Sequence, residues 1–187
     1  MIKKEFYLQD TEKVAQELLG CQIVINSKSG KVAGKIVETE AYLFDDPASH
    51  SYKGRTNRNK HMFGDPGTAY IYLIYGMHHC FNIVTQKQGV GEAVLIRALE
   101  PLSGLDIMKR NRKKEDVRQL CNGPAKLAQA LGINPSLSGL SLKSKEFYII
   151  PRKESPNIVK KSRVGITKGQ DLKLRFYIKN SPFISKK

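Results

Sequence analysis

The stretch KIVETEAY places Glu38, Glu40 and Tyr42 at alternate positions. If it is a strand, two carboxylates and a phenol share one face, and Val37, Thr39 and Ala41 take the other. Same-face neighbours on a strand lie ~7 Å apart, so one carboxylate can act as a general base while its neighbour raises its pKa or makes a structural bond. An edge strand carrying solvated acids is the plainer account of the same letters. Arg97 interrupts the apolar run AVLIRAL. A guanidinium in a central strand needs an acidic partner, because stripping its water is costly. Glu40 meets that need, and a purely structural ion pair with another acid fits the spacing equally well.

Aromatic residues supply a second group. Tyr70, Tyr72 and Tyr75 fall within six residues, and alternation puts Tyr70 and Tyr72 on one face, with Tyr75 beside Gly76 at a turn. An aromatic core explains such a cluster. A large side chain at an exposed turn is also what a wedge driven between base steps requires, and Tyr42, Tyr72 and His50 together suit stacking around an extruded base. His78, His79 and Cys80 are donor-rich, but consecutive strand residues point to opposite faces, so no metal site is expected. The zinc deaminase signature, the P-loop, G-x-G-x-x-G and G-x-S-x-G patterns do not occur, which leaves phosphoryl transfer and serine hydrolysis without a motif.

The elements that must hold these residues can be read from periodicity. Residues 10–20 begin with a capping Asp10 or Thr11, set Val14, Leu18 and Leu19 on one side and stop at Gly20, which predicts a short amphipathic helix. Two strands around a turn near Asn26 to Gly30 follow. Asp45 to Gly67 is polar and aperiodic, a long loop of the kind that carries function. TAYIYLIYGMHHCFNIVT reads as a second hairpin with Tyr75 and Gly76 near its tip, and EAVLIRAL as another strand. Leu102, Leu105 and Met108 have helical spacing within 101–114, and Pro124, Leu127, Leu131 and Gly132 mark a helix within 121–133. The remainder suggests short strands joined by loops. The fold expected is α+β: a single domain over 1–187, with a mainly antiparallel curved sheet, flanking helices and a protruding β-hairpin.

With 187 residues, 40% of them hydrophobic, the chain suffices for one sizeable core and is short for two domains. Lys and Arg number 32 against 17 Asp and Glu, a net charge of +15. Such a field favours nucleic acid, although anionic membranes and acidic proteins attract it too. No apolar run is long enough to span a membrane or export the chain. Cys21, Cys80 and Cys121 are odd in number and widely spaced, which argues for buried thiols in a reducing compartment. A cytoplasmic (nucleoid-associated) or nuclear location is expected.

IVETEAY, ASHSYKGRTNRNKHMF, PGTAYIYLIYGMHHCFNIV, VLIRALEP and NGPAKL, in that order, resemble the alkyladenine (3-methyladenine) DNA glycosylase family, and RVGI at 163–166 and LRFYIKNSPFIS continue the likeness. The resemblance implies a monofunctional, cofactor-free enzyme that approaches duplex DNA from the minor groove, flips out an alkylated or deaminated purine and hydrolyses its glycosidic bond. By matching positions, Glu40 would activate the water and Arg97 help hold it. Tyr42, His50 and Tyr72 would enclose the base, Asn82 help exclude guanine, and Tyr75 fill the vacated place in the duplex. Glu38 receives no catalytic role. His50 is the pocket side chain that titrates near neutrality, and so the one to nominate for protonating neutral lesions such as hypoxanthine. Lys53, Arg55, Arg58 and Lys126 are candidate phosphate contacts, and a monomer is expected. The match is poor over 110–120 and 136–161. The main alternative is a non-catalytic nucleic-acid-binding module. A glycosylase-lyase would need an amine to form a Schiff base, and for a small-molecule nucleosidase a charge of +15 would be odd.

Overall fold

The computed structural model describes residues 1–186. The chain runs α1 (Lys4–Tyr7), α2 (Thr11–Glu17), β1 (Gln22–Ser27), β2 (Gly30–Tyr42), β3 (Ala69–Ile74), β4 (His78–Thr85), β5 (Glu92–Ser103), α3 (Leu105–Arg112), α4 (Pro124–Leu131), β6 (Phe147–Ile150), β7 (Ile158–Lys161) and β8 (Arg175–Ile178). The strands form one sheet in the order β3-β4-β5-β2-β1-β6, with β8 paired to β2 and β7 paired to β8, and all of these ladders are antiparallel.

Thirteen-residue β2 is the axis of the molecule. Its first half pairs with β1 on one edge, whereas Glu38, Thr39 and Glu40 pair with β8 on that side. Its other edge pairs with β5 along nearly its whole length, with register shifts between Ala33 and Gly34, Ile36 and Glu38, and Glu38 and Thr39. Such bulges bend and twist a strand, and they give the sheet its curvature as β2 changes neighbours.

The two faces of the sheet have different contents. Ile36, Ala41, Ala69, Ile71, Phe81, Ile83, Val94 and Ile96 join the main apolar core with Leu18, Leu127, Leu131, Phe147 and Phe176. Here α2 lies on β2 and β5, and α4 on β4 and β5. The opposite face carries a small cluster of Met62, Tyr70, Val84 and Ala93 against Tyr42, Phe63 and Tyr72. Period-two alternation therefore divides each strand into a core row and a chemistry row.

Most predicted elements are present. Asp10 caps α2, its side chain accepting from the Lys13 backbone N–H at 3.1 Å. Pro124 opens α4, and Gly132 closes it in the left-handed region at φ 71. The helix expected within 101–114 is shorter than its spacing suggested. Pro101, Leu102 and Ser103 extend β5, and α3 begins only after Gly104, whose φ of 74 breaks the strand. A Cβ at Gly104 would stand 2.5 Å from the Lys31 carbonyl oxygen, so the close approach to β2 demands glycine. Helix α1 was not foreseen, and the loop over 45–67 contains a 3-10 turn at Lys60–Phe63. Cys21, Cys80 and Cys121 are all buried free thiols. Among the described residues no helix is long and apolar enough to cross a membrane.

Candidate active site

One row of residues crosses five strands. Tyr70 on β3 pairs with Asn82 on β4, Asn82 with Leu95 on β5, Leu95 with Glu40 on β2, and Glu40 with Arg175 on β8. Directly paired residues share a face, so Tyr72 and Cys80, Arg97, and Glu38 with Tyr42 lie one step along on the same side. Antiparallel register thus gathers side chains separated by more than a hundred residues.

Above this row lies a cavity of about 460 Å³, bounded by Tyr42, His50, Met62, Tyr70, Tyr72, Cys80, Asn82, Leu95, Arg97, the start of α4 and Val164 to Ile166. Its size falls within the ~300–1,000 Å³ typical of small-ligand pockets. Its walls are mostly aromatic and apolar, and Tyr75 and His78 stand at its rim.

Glu40 is completely buried and held by three donors. Arg97 Nη1 lies 3.2 Å from Oε2, the Tyr42 hydroxyl donates to Oε2 at 2.9 Å, and the Val164 backbone N–H donates to Oε1 at 2.8 Å. Arg97, Tyr42 and Val164 face the cavity, while Glu40 itself lies one layer beneath its floor. Burial raises the Glu40 pKa above the ordinary carboxylate value, and Glu38 adds to the rise; Arg97, the Val164 N–H and Tyr42 oppose it. Burial likewise raises the Tyr42 phenol, with the adjacent Glu40 charge adding to it.

The aromatic walls are in mutual contact. His50 and Tyr72 meet edge to face, with ring centroids 4.4 Å apart and planes at 77°, and Tyr70 lies 5.6 Å from Tyr72. His50 and Tyr72 therefore stand together as one aromatic wall, and the open space is the cavity they share with Tyr42. His50 Nδ1 lies 2.9 Å from the Tyr70 hydroxyl, and its carbonyl accepts from Asn59 Nδ2 at 2.8 Å. Burial, and then the charge of Arg58, push the His50 pKa down. Both effects favour the neutral imidazole over the charged one. Asn82 Nδ2 donates to the Tyr70 carbonyl at 3.1 Å, fixing which way its amide points.

At the tip of the β3–β4 hairpin, Tyr75 and Gly76 have φ of 52 and 70, and Met77 N–H closes the turn on the Ile74 carbonyl at 3.3 Å. Tyr75 is 85% exposed and Met77 71%. A positive φ is uncommon for a residue with a Cβ, and here it holds an aromatic ring out in solvent.

A family model for methylpurine-DNA glycosylase matches residues 5–182. The chain belongs to the methylpurine-DNA glycosylase family. Among relatives assigned the name 3-methyladenine DNA glycosylase, one from Methanoculleus marisnigri is 50% identical over 187 residues, covering 97% of each chain. Another, from Carboxydothermus hydrogenoformans, is 48% identical over 190 residues and the full length of both. A third, from Francisella tularensis subsp. tularensis, is 49% identical over 182 residues, or 95% of this chain and 94% of that one. Methylpurine-DNA glycosylases are DNA repair hydrolases, so duplex binding and the charge of +15 belong together.

In this glycosylase-family fold Glu40, Tyr42, His50, Tyr72, Asn82 and Arg97 converge on one cavity or its immediate floor, with Tyr75 at the rim. The four candidate phosphate contacts do not converge. Lys126 lies by the main cavity, Lys53 and Arg58 share a neighbouring cleft with Lys168, and Arg55 borders another with Lys60 and His61.

Three residues of the assembly escaped sequence reasoning. Arg163 is buried against Asp46, with Nη2 donating to Oδ1 at 2.9 Å and Nη1 bonded to Oδ2 and to the Ala41 carbonyl. Its guanidinium lies 4.7 Å from the centre of the Tyr42 ring. Nothing in the irregular segment around Arg163 signals this. Arg175, however, interrupts the apolar LRFYI just as Arg97 interrupts AVLIRAL, and the same logic would have flagged it.

Proposed function

We propose that this protein excises alkylated or deaminated purines from duplex DNA, of the 3-methyladenine, 7-methylguanine, hypoxanthine and ethenoadenine class, by hydrolysis with a water activated by Glu40. The observation that carries the reading is the buried carboxylate of Glu40, bound by Arg97, Tyr42 and a backbone N–H, directly beneath an aromatic-walled cavity. Glu40 Oε1 accepts one bond, which leaves it a second acceptor position for a water proton.

A purine methylated at N3 or N7 is cationic and leaves as a neutral base, so the enzyme's task is to supply water and to stabilise an oxocarbenium-like sugar. Glu40 serves both ends, and Arg97 steadies the water from the cavity side. Tyr42, His50 and Tyr72 stack on the extruded base, and the Asn82 amide, oriented by the Tyr70 carbonyl, opposes guanine. Tyr75 enters the duplex from the minor groove. The reaction is monofunctional, since water is the nucleophile and no amine is required. The protein acts as a monomer without a cofactor.

The direct test is base release from duplex oligonucleotides bearing hypoxanthine or ethenoadenine and from methylated duplex DNA. Absence of release from all three would sink the reading. One observation favours a rival, a module that binds nucleic acid without catalysis: Glu40 has no surface of its own in the cavity. Such a module would bind damaged DNA and release nothing.

Two further outcomes are expected. Because burial raises the Glu40 pKa, the base loses its charge at a higher pH than an ordinary Glu at about 4.3. The rate of release of 7-methylguanine, which is a cation while attached to the sugar throughout the acid range, should therefore fall on acidification through a midpoint above that value. A single-turnover pH profile measures it. Binding should also weaken steeply with salt, and Lys53→Ala or Arg58→Ala should each reduce the log–log slope by about 1 if it removes one phosphate contact.

A further inference from the structure

Glu38 has every feature of a spectator: it is fully buried, it does not line the cavity, and both its oxygens are engaged. Its engagements nevertheless converge on Arg97. Arg97 Nε lies 3.4 Å from Glu38 Oε1, Nη1 bonds Glu40 at 3.2 Å, and Nη2 donates to the Ser185 hydroxyl at 3.3 Å. Nη1 and Nη2 are thus hydrogen-bonded, while Nε makes an ion-pair contact with Glu38 without a hydrogen bond. Glu38 Oε1 also accepts from Arg175 Nη1 at 3.1 Å, and Oε2 from the Ser185 backbone N–H at 2.6 Å. Arg175 Nη1 in turn donates to the Lys186 carbonyl at 2.9 Å.

The geometry points to Glu38 as the positioning residue that sets Arg97 against the base, with Ser185 of the segment after β8 as its clamp. Two carboxylates and two guanidinia make a charge-balanced chain, Glu40–Arg97–Glu38–Arg175, built on three neighbouring strands. The register shifts of β2 on either side of Glu38 place it within reach of both arginines. A single Glu–Arg pair would leave the guanidinium free to turn about its contact with Glu40. The charge of Glu38 at one end and the bond to Ser185 at the other limit that rotation and hold the guanidinium against Glu40. Glu38 has an electrostatic consequence too. Glu40 feels Arg97, Glu38, Tyr42, Cys80 and Arg163, and Glu38 is the nearby carboxylate that raises its pKa.

This inference rests on Glu40 being the base, so Glu40→Gln is measured alongside. The experiment is single-turnover release of 7-methylguanine from duplex DNA at saturating enzyme, over the acid range, for wild type, Glu38→Gln, Glu38→Gln/Arg175→Met and Ser185→Ala, with DNA affinity measured separately. Glu38→Gln is expected to lower the plateau rate by about 10-fold or more, to leave DNA affinity unchanged, and to shift the acid midpoint to lower pH because a like charge beside Glu40 is gone. The double variant keeps the remaining Glu40–Arg97 pair charge-balanced, so it reports even if Glu38→Gln alone fails to fold, and the same two changes are expected. Ser185→Ala should lower the plateau by a smaller factor without moving the midpoint. If a folded Glu38 variant retains both the wild-type plateau and the wild-type midpoint, Glu38 is merely structural and the inference falls. If Glu40→Gln releases base as fast as wild type, the functional reading falls first and takes the inference with it.

Discussion

Glu40→Gln is expected to release base about 10²–10⁴-fold more slowly than wild type while binding damaged DNA equally well. Glutamine preserves the volume of the side chain, but its one oxygen can replace either Oε1, which accepts from the Val164 N–H, or Oε2, which accepts from Arg97 and Tyr42, so its amide nitrogen meets a donor at the other position. It cannot take a proton from water. Nor does the change strand Arg97, which keeps Glu38 as an acid partner at 3.4 Å. A fall in rate can therefore be read as lost chemistry and not as collapse of the site, provided that thermal melting and DNA affinity stay near wild type. Single-turnover rates on ethenoadenine and 7-methylguanine substrates are the measurement. A variant within threefold of wild type on both would remove Glu40 from the mechanism.

The second large effect is on stability. Arg163→Met is expected to destabilise the fold by about 3–5 kcal/mol, because it leaves Asp46 as a buried charge with no cation. Both side chains are wholly inaccessible, and the pair joins the loop after β2 to the segment carrying Val164. Asp46→Ala should cost a similar amount for the mirror-image reason, whereas removing both should cost much less than the sum. Urea unfolding of the two single variants and the double variant gives the coupling directly. Additive losses would mean that the two residues act independently. Arg163→Met also takes away the cation beside the Tyr42 ring and the bond to the Ala41 carbonyl, so surviving protein should excise more slowly as well.

How far the sequence foretold this arrangement depended on the range of the interaction. Alternation within β2 is local, and it placed Glu38, Glu40 and Tyr42 on one face without knowledge of any partner. The turn at Tyr75 and Gly76 was legible for the same reason. The partner of Arg97 was legible as a need, an acid to offset desolvation, but its double attachment to Glu40 and Glu38 was not. That attachment depends on how β2 and β5 register around two bulges, and no periodicity encodes an inserted residue. Leu102 misled because three apolar positions at helical spacing can straddle a strand end and a helix start, with Gly104 deciding the boundary. The His50–Tyr72 contact was invisible because His50 comes from an aperiodic loop whose path is set by bonds such as that of Asn59 to the His50 carbonyl. The family resemblance supplied the rest of the site, residue by residue; its motifs RVGI and LRFYIKNSPFIS include Arg163, Arg175 and Ser185, but it implied no role for these or for Asp46.

Strand β2 is bonded to β1, β5 and β8, so the backbone around Glu40 has partners on both edges and lies inside the sheet. Local opening favours segments with few buried contacts and exposed hydrogen bonds, and β2 is neither. The protonic machinery therefore has no low-energy route to fraying ahead of the molecule. Warming should leave the arrangement around Glu40 intact in each molecule until it unfolds as a whole. The exposed hairpin tip around Tyr75 and Met77 has no such protection, so any activity lost ahead of secondary structure should be lost through weakened substrate binding, with the rate at saturating enzyme preserved.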